Sequence, residues 1–133
     1  MNRQQHIDLI LHHYQHPRHH GAPAQATVAF TSNNPGCGDV VTVYLCSENV
    51  TAPVTLTFEG QGCTVSQAAA SMVMELMQGK TLDEIEAASV EPLLALIGPD
   101  IAGARRRCVT LAFDAVKHAG VELAGRLRTG QVL

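Results

Sequence analysis

Tryptophan is absent, and two tyrosines and three phenylalanines make up all of the aromatic 4% of this 133-residue chain. An apolar core therefore has to be built from Ala, Val, Leu, Ile and Met. Charge is also sparse, at 16% of residues against 46% hydrophobic, the reverse of the balance that keeps a chain disordered. There is no basic excess: nine Lys plus Arg against twelve Asp plus Glu leave a net charge of -3 with neutral histidines. That disfavours a general nucleic-acid binder, which needs a basic face to neutralise phosphates. The longest apolar run, Leu93 to Ile97, has five residues, far below the roughly 18 of a membrane span. The first twenty residues hold six of the seven histidines and no continuous apolar stretch, so no secretory signal is read there and a cytoplasmic location is expected.

Several motifs are missing as well. No CxxC knuckle, HExxH pair, GxGxxG turn or Walker lysine occurs, which removes the usual signatures of zinc knuckles, zincins and nucleotide-binding loops. Four cysteines are present, Cys37, Cys46, Cys63 and Cys108. In a reducing compartment such a set points to metal or chemistry more often than to disulfides. The length suits one domain over residues 1–133, large enough to bury about two-thirds of its unfolded surface.

Periodicity then orders the chain. Ile7, Ile10, Leu11 and Tyr14 have helical spacing, which predicts a first helix over roughly 4 to 15, stopped by Pro17. Alternation around Val28 and Phe30, the β-branched run Val40 to Cys46, and the alternation Val54 to Phe58 predict three strands, with a turn at Asn33-Asn34-Pro35-Gly36. Gly60-Gln61-Gly62 is expected to break the third strand, and Val65 to Gln78 to form a helix ended by Gly79. Thr81 and Glu84 have capping-box spacing, so a short helix is expected there. Ser89 to Ile97 predicts a further turn or two with Pro92 near its start. Cys108, Leu111, Ala112, Ala115 and Val116 predict a last helix closed by Gly120; residues 121 to 133 are ambiguous. Helix, three strands, then helices predicts an α+β fold, a small three-stranded antiparallel sheet with helices packed mainly on one face.

Three cysteines fall where chemistry is commonly presented. Cys37 sits in the turn before the second strand, in Cys37-Gly38-Asp39. On an extended backbone residues i and i+2 point to one side, so thiol and carboxylate would share a site, and Gly38 would let the chain bend close. Alternatively Asp39 is an ordinary turn carboxylate. Cys63 precedes a helix whose first N–H groups and dipole favour an anion, and thus the thiolate that binds metal or attacks sulfur. Cys108 follows Arg105-Arg106-Arg107, and on a helix Arg105 would lie one turn away on the same face; for Arg106 a solvated face is the plainer reading. Cys46, late in the second strand, reads as a buried thiol acting as a small hydrophobe. His12 and His16 have i, i+4 spacing, but the histidines as a group read as surface residues.

In these residues the chain resembles the IscU/NifU N-terminal group of iron–sulfur cluster assembly proteins, including its SufU branch. His13 to Gly21, HYQHPRHHG, is similar to the family's HYxxPRNxG. Asn34 to Asp39 is similar to NPxCGD, Gly60 to Met72 (GQGCTVSQAAASM) to GxGCxISxASASM, and Arg105 to Ala115 to the RxxCxxLA helix. The resemblance implies that Cys37, Asp39, Cys63 and Cys108 form one site for Zn²⁺ or a [2Fe–2S] cluster. It assigns Cys46 no role.

It further implies a scaffold or zinc-dependent sulfur acceptor rather than a free-standing enzyme. Such a protein works with a cysteine desulfurase of the SufS, IscS or NifS kind and with downstream cluster acceptors. Arg107 stands where the IscU branch has a histidine, and no LPPVK segment precedes it. Arg105 matches the arginine of the SufU branch, whose extra segment between the second and third ligand cysteines does not fit between Cys63 and Cys108. The reading leans to SufU, with Cys108 as the accepting thiol and Arg105 beside it. Two other classes stand next to this one: a structural zinc protein, held folded by its metal, and a cysteine-nucleophile enzyme with a histidine base.

Overall fold

Side-chain alternation along three strands sets the architecture of the protein, seen in a computed structural model that describes residues 1–26, 28–36 and 38–130. β1 (Val28–Asn34), β2 (Asp39–Cys46) and β3 (Thr55–Gln61) form an antiparallel sheet in the order β1-β2-β3. Val28, Val41, Val43, Leu45, Leu56 and Phe58 are buried on one face. The other face is polar: the Thr31 and Thr42 hydroxyls meet across β1 and β2 at 2.8 Å, and the Tyr44 hydroxyl donates to Glu59 at 2.7 Å.

Helices cover the apolar face, which is the α+β arrangement expected. α2 (Thr64–Met77) and α6 (Arg106–Arg128) lie against the sheet. α1 (Arg3–Gln15) packs on α2, α3 (Leu82–Ala87) on α6, and α4 (Glu91–Ile97) on α1 and α2. α5 (Pro99–Ala104) leads directly into α6. In place of aromatic bulk, α2 buries Ala68, Ala69, Ala70, Met72, Val73 and Met74. No helix among the described residues is long and apolar enough to cross a membrane.

Local structure departs from the sequence reading in instructive places. Gly60 does not break β3: it pairs with Val41 inside the ladder, and a Cβ there would stand 2.8 Å from the Val40 carbonyl oxygen, so the glycine permits close approach. Gly120 likewise lies inside α6, where a Cβ would come within 3.3 Å of Ile85 on α3. The helix therefore runs on to Arg128. α5 was not anticipated, and Pro99 at its start suits a first helical position. Cys46 is exposed, not buried. Asp39, Val41, Val43 and Leu45 take the core face of β2, so Cys46 falls on the opposite parity.

α1 differs most from its reading. Its buried residues are His6, Ile10 and His13, whereas Leu11 and Tyr14 are 43% and 46% exposed. The two buried histidines have partners: His6 Nδ1 lies 3.0 Å from the Leu96 carbonyl, and His13 Nδ1 lies 2.7 Å from the Ser71 hydroxyl on α2. Ser71 Oγ also accepts the Arg18 backbone N–H at 2.8 Å, which leaves its own proton for Nδ1 of a neutral His13. Arg18 and His13 both face Glu75, at 3.2 and 3.6 Å.

Burial holds His13 below the usual histidine value of 6.5; Arg18 pushes the same way, Glu75 opposes, and His12 adds a smaller lowering. The unfolded chain thus takes up a proton at this position before the fold does. Stability from this site is complete above about pH 6.5 and is lost progressively below it, until the folded His13 protonates too. The urea midpoint should fall between about pH 7.5 and about pH 5.5. In His13→Gln, less stable at neutral pH, that slope should be shallower.

Candidate metal centre

Asp39 opens β2 and is fully buried, an unusual place for a carboxylate. The β1–β2 register sets it directly across from Asn34, and the turn between them is closed by the Gly38 N–H donating to the Asn34 carbonyl at 3.0 Å. Asp39 Oδ1 accepts the Cys63 backbone N–H at 3.0 Å and the Ser66 hydroxyl at 3.3 Å. Asp39 Oδ2 has no hydrogen-bond partner among the described residues. A buried oxygen left so costs about 1–3 kcal/mol, more when it is charged.

Cys63 is the N-cap of α2, as its sequence position suggested. Its Sγ accepts the Ser66 backbone N–H at 3.4 Å, in the place a serine or aspartate oxygen would usually take. Gly62 precedes it with φ +156°, and a Cβ there would collide with Asp39 Oδ1 and stand 2.7 Å from Ser66 Oγ. Only a glycine lets the backbone cross over the carboxylate so closely.

Cys108 lies at the third residue of α6, so it too belongs to a first turn rather than to a helix interior. It is buried, and the Asn34 side-chain amide reaches its Sγ at 3.9 Å. Arg105 is not on the helix face one turn away; it is the non-helical N-cap, with φ -128° and ψ 42°, that separates α5 from α6. Arg105, Arg106 and Arg107 are all exposed and line an open cleft of about 620 Å³ with Asn34, Gly36, Gly103, Ala104 and Cys108.

Three of the four expected ligands are therefore brought together. One carboxylate oxygen of Asp39 and the sulfurs of Cys63 and Cys108 all lie within 4.8 Å of one another. A tetrahedral ion with Zn–S bonds of about 2.3 Å and a Zn–O bond of about 2.0 Å separates its sulfurs by roughly 3.8 Å and sulfur from oxygen by roughly 3.5 Å, so at most about 1.3 Å of closure would gather them. The unpartnered Oδ2 and two thiols at helix starts fit a cation better than they fit a polar core. Cys37 lies outside the described residues. Gly38, with φ +74°, is in a turn, so the same-side argument from an extended backbone does not carry across it.

Two residues at the centre escaped the sequence reading. Ser66 holds both Asp39 Oδ1 and, through its N–H, Cys63 Sγ; its position three residues into a helix capped by Cys63 was the available signal. Asn34 shares the inward parity of Val28 on β1, which would have pointed it at the core. Among the described residues the histidines take no part in this three-residue group.

Residues 5–129 match the NifU-like N-terminal domain family. The iron–sulfur cluster assembly scaffold protein IscU 1 of Archaeoglobus fulgidus is 30% identical over 116 residues, covering 86% of this chain and 74% of its own. The zinc-dependent sulfurtransferase SufU of Bacillus subtilis is 28% identical over 129 residues, covering 82% and 84%. Among solved structures, the N-terminal part of a nitrogen-fixing NifU-like protein from Brucella abortus superposes with a TM-score of 0.70 at 26% identity, over 91% of this chain and 98% of that one. The fold, the ordered motifs and these matches agree: the chain belongs to the family of NifU-like N-terminal domains.

Proposed function

We propose that this protein acts in iron–sulfur cluster assembly, receiving sulfur from a cysteine desulfurase and serving as sulfur acceptor and as scaffold for a transferable [2Fe–2S] cluster. The supporting observation is that a carboxylate oxygen of the buried Asp39 and the sulfurs of Cys63 and Cys108 lie within 4.8 Å of one another, and that Asp39 Oδ2 has no hydrogen-bond partner among the described residues. Cys37 completes the proposed set of ligands. Zn²⁺, when bound, would hold these thiolates together and supply positive charge to them; the cluster is cargo. Cytoplasmic work keeps the thiols reduced, and downstream acceptor proteins take the product.

Cys108 is the proposed acceptor. It lines an open cleft together with Arg105, Arg106 and Arg107, so a persulfide arriving on a partner meets positive charge beside the thiol. The Cys108 thiolate attacks the terminal sulfur of the partner's persulfide. A new S–S bond forms on Cys108, the partner's S–S bond breaks, and the partner's cysteine leaves as thiolate while the transferred sulfur keeps its proton. Arg105, at the N-cap of the same helix, is the guanidinium proposed to receive the approaching sulfur. Asp39 supplies the harder and more exchangeable donor among soft ones, through which an ion or cluster would be released.

Mixing the chain with a cysteine desulfurase and cysteine, with and without iron, tests the reading. Faster sulfide release without iron indicates the acceptor role, and a visible-absorbing cluster with iron indicates the scaffold role. Neither response, together with unfolding on chelation by circular dichroism, would leave a structural zinc protein. Cys37→Ser, Cys63→Ser and Cys108→Ser should each abolish metal binding or sulfur transfer; an effect confined to one of them would favour a cysteine nucleophile instead. Asp39→Ala should keep metal but slow release of a reconstituted cluster about tenfold, or about 1.4 kcal/mol on the barrier; faster loss would contradict the exchangeable-donor role. Gly62→Ala should destabilise the fold by about 1–3 kcal/mol through overpacking, because the added Cβ collides with Asp39 Oδ1, measurable by urea titration.

A further inference from the structure

We propose that His12 and His16 form a second metal site, separate from the cysteine centre, for an imidazole-preferring divalent ion such as Zn²⁺, Ni²⁺ or Cu²⁺. The two residues lie one turn apart at the end of α1, and both are exposed. The His16 backbone N–H donates to the His12 carbonyl at 2.9 Å and closes the last turn, with His16 itself the non-helical C-cap at φ -130° and ψ 68°. Their ring centroids are 5.3 Å apart with the planes tilted by 47°. Two imidazoles bound at about 2.0–2.1 Å to one tetrahedral ion have ring centres roughly 5 Å apart. The observed centroid separation of 5.3 Å matches that spacing. Neither ring has a hydrogen bond or ion pair among the described residues, so no partner has to be displaced.

The electrostatic setting also favours a cation. The pair occupies the C-terminal turn, where the last carbonyls of a helix carry its negative end. Asp8, exposed and one turn before His12, adds negative charge on the same face. Arg18 is the nearest opposing charge: its guanidinium donates to the His16 carbonyl at 2.6 Å but is paired with Glu75 at 3.2 Å. His13 is excluded as a ligand because its ring turns inward to Ser71. Two protein ligands leave the remaining positions to water, so the ion exchanges freely and the fold does not rely on it.

The test uses the untagged 133-residue chain titrated with Ni²⁺ by calorimetry. It is run with the cysteine centre preloaded with zinc, and in parallel on Cys37→Ser/Cys63→Ser/Cys108→Ser, so that failure of the sulfur-transfer reading leaves this result intact. A binding event is expected in both, weakened about tenfold or more by His12→Gln and by His16→Gln and unchanged by His19→Gln. Saturating Ni²⁺ should also raise the melting midpoint, because a bridge across one turn staples the end of α1, and the rise should vanish in His12→Gln. No event in either protein, an affinity indifferent to both Gln variants, or an equal loss in His19→Gln would overturn the assignment. His12 and His16 are exposed, and circular dichroism of the Gln variants checks that they fold.

Discussion

A carboxylate is kept in the dry interior at the first residue of β2, and much of the surrounding chain is arranged around it. Asp39 Oδ1 takes a hydrogen bond from the Cys63 N–H and another from the Ser66 hydroxyl, which ties the start of β2 to the start of α2. Gly62 passes over the same oxygen, where any side chain would collide with it. Two hydrogen bonds offset part of the desolvation of one oxygen, and Oδ2 is left over. An interior that tolerates such an oxygen has been shaped for something other than stability, and a cation is the species that removes the penalty.

The two described thiols reach that carboxylate by the same device from different directions. Cys63 caps α2, its sulfur accepting the Ser66 N–H, and Cys108 lies in the first turn of α6, its sulfur approached by the Asn34 amide. Both helices lie on one face of the sheet, and the register of β1 and β2 puts Asn34 and Asp39 at the same edge of it. Small residues make this convergence possible. Ala68, Ala69 and Ala70 on α2 and Ala112, Ala115 and Ala119 on α6 are buried, so the helices settle close to a sheet that has Phe58 as its one fully buried aromatic ring.

Much of this was legible from residue order. The capping box of Thr81 and Glu84, the strand β2, the helix after Cys63 and the α+β class follow from local chemistry that the tertiary structure leaves in force. Tertiary packing overrode the rest. Gly60 and Gly120 look like punctuation in one dimension, but each marks a place where another element comes close, at Val40 and at Ile85. Periodicity put Leu11 and Tyr14 on the inner face of α1 because it ranks residues by apolarity. The structure prefers His6 and His13 there, since each finds an acceptor or donor waiting on another element. At the centre, residue types pointed to Asp39, Cys63 and Cys108, whereas Ser66 and Asn34 depend on which backbone atoms meet.

What remains is why a candidate metal centre of this kind would sit on this fold. In small zinc domains the ion contributes on the order of 10 kcal/mol and the apo chain unfolds. Here the core runs from Val28 through Leu56 and Val73 to Leu123 without involving the centre, and the site lies at its edge beside an open cleft. A fold that is stable on apolar burial can let its ligands change partners without melting. The exposed arginines add nothing to that core, and neither does the unpartnered oxygen. Both acquire a purpose if the centre is to be filled, emptied and approached by another macromolecule, and a hard oxygen among soft sulfurs is the donor set that makes departure as accessible as arrival.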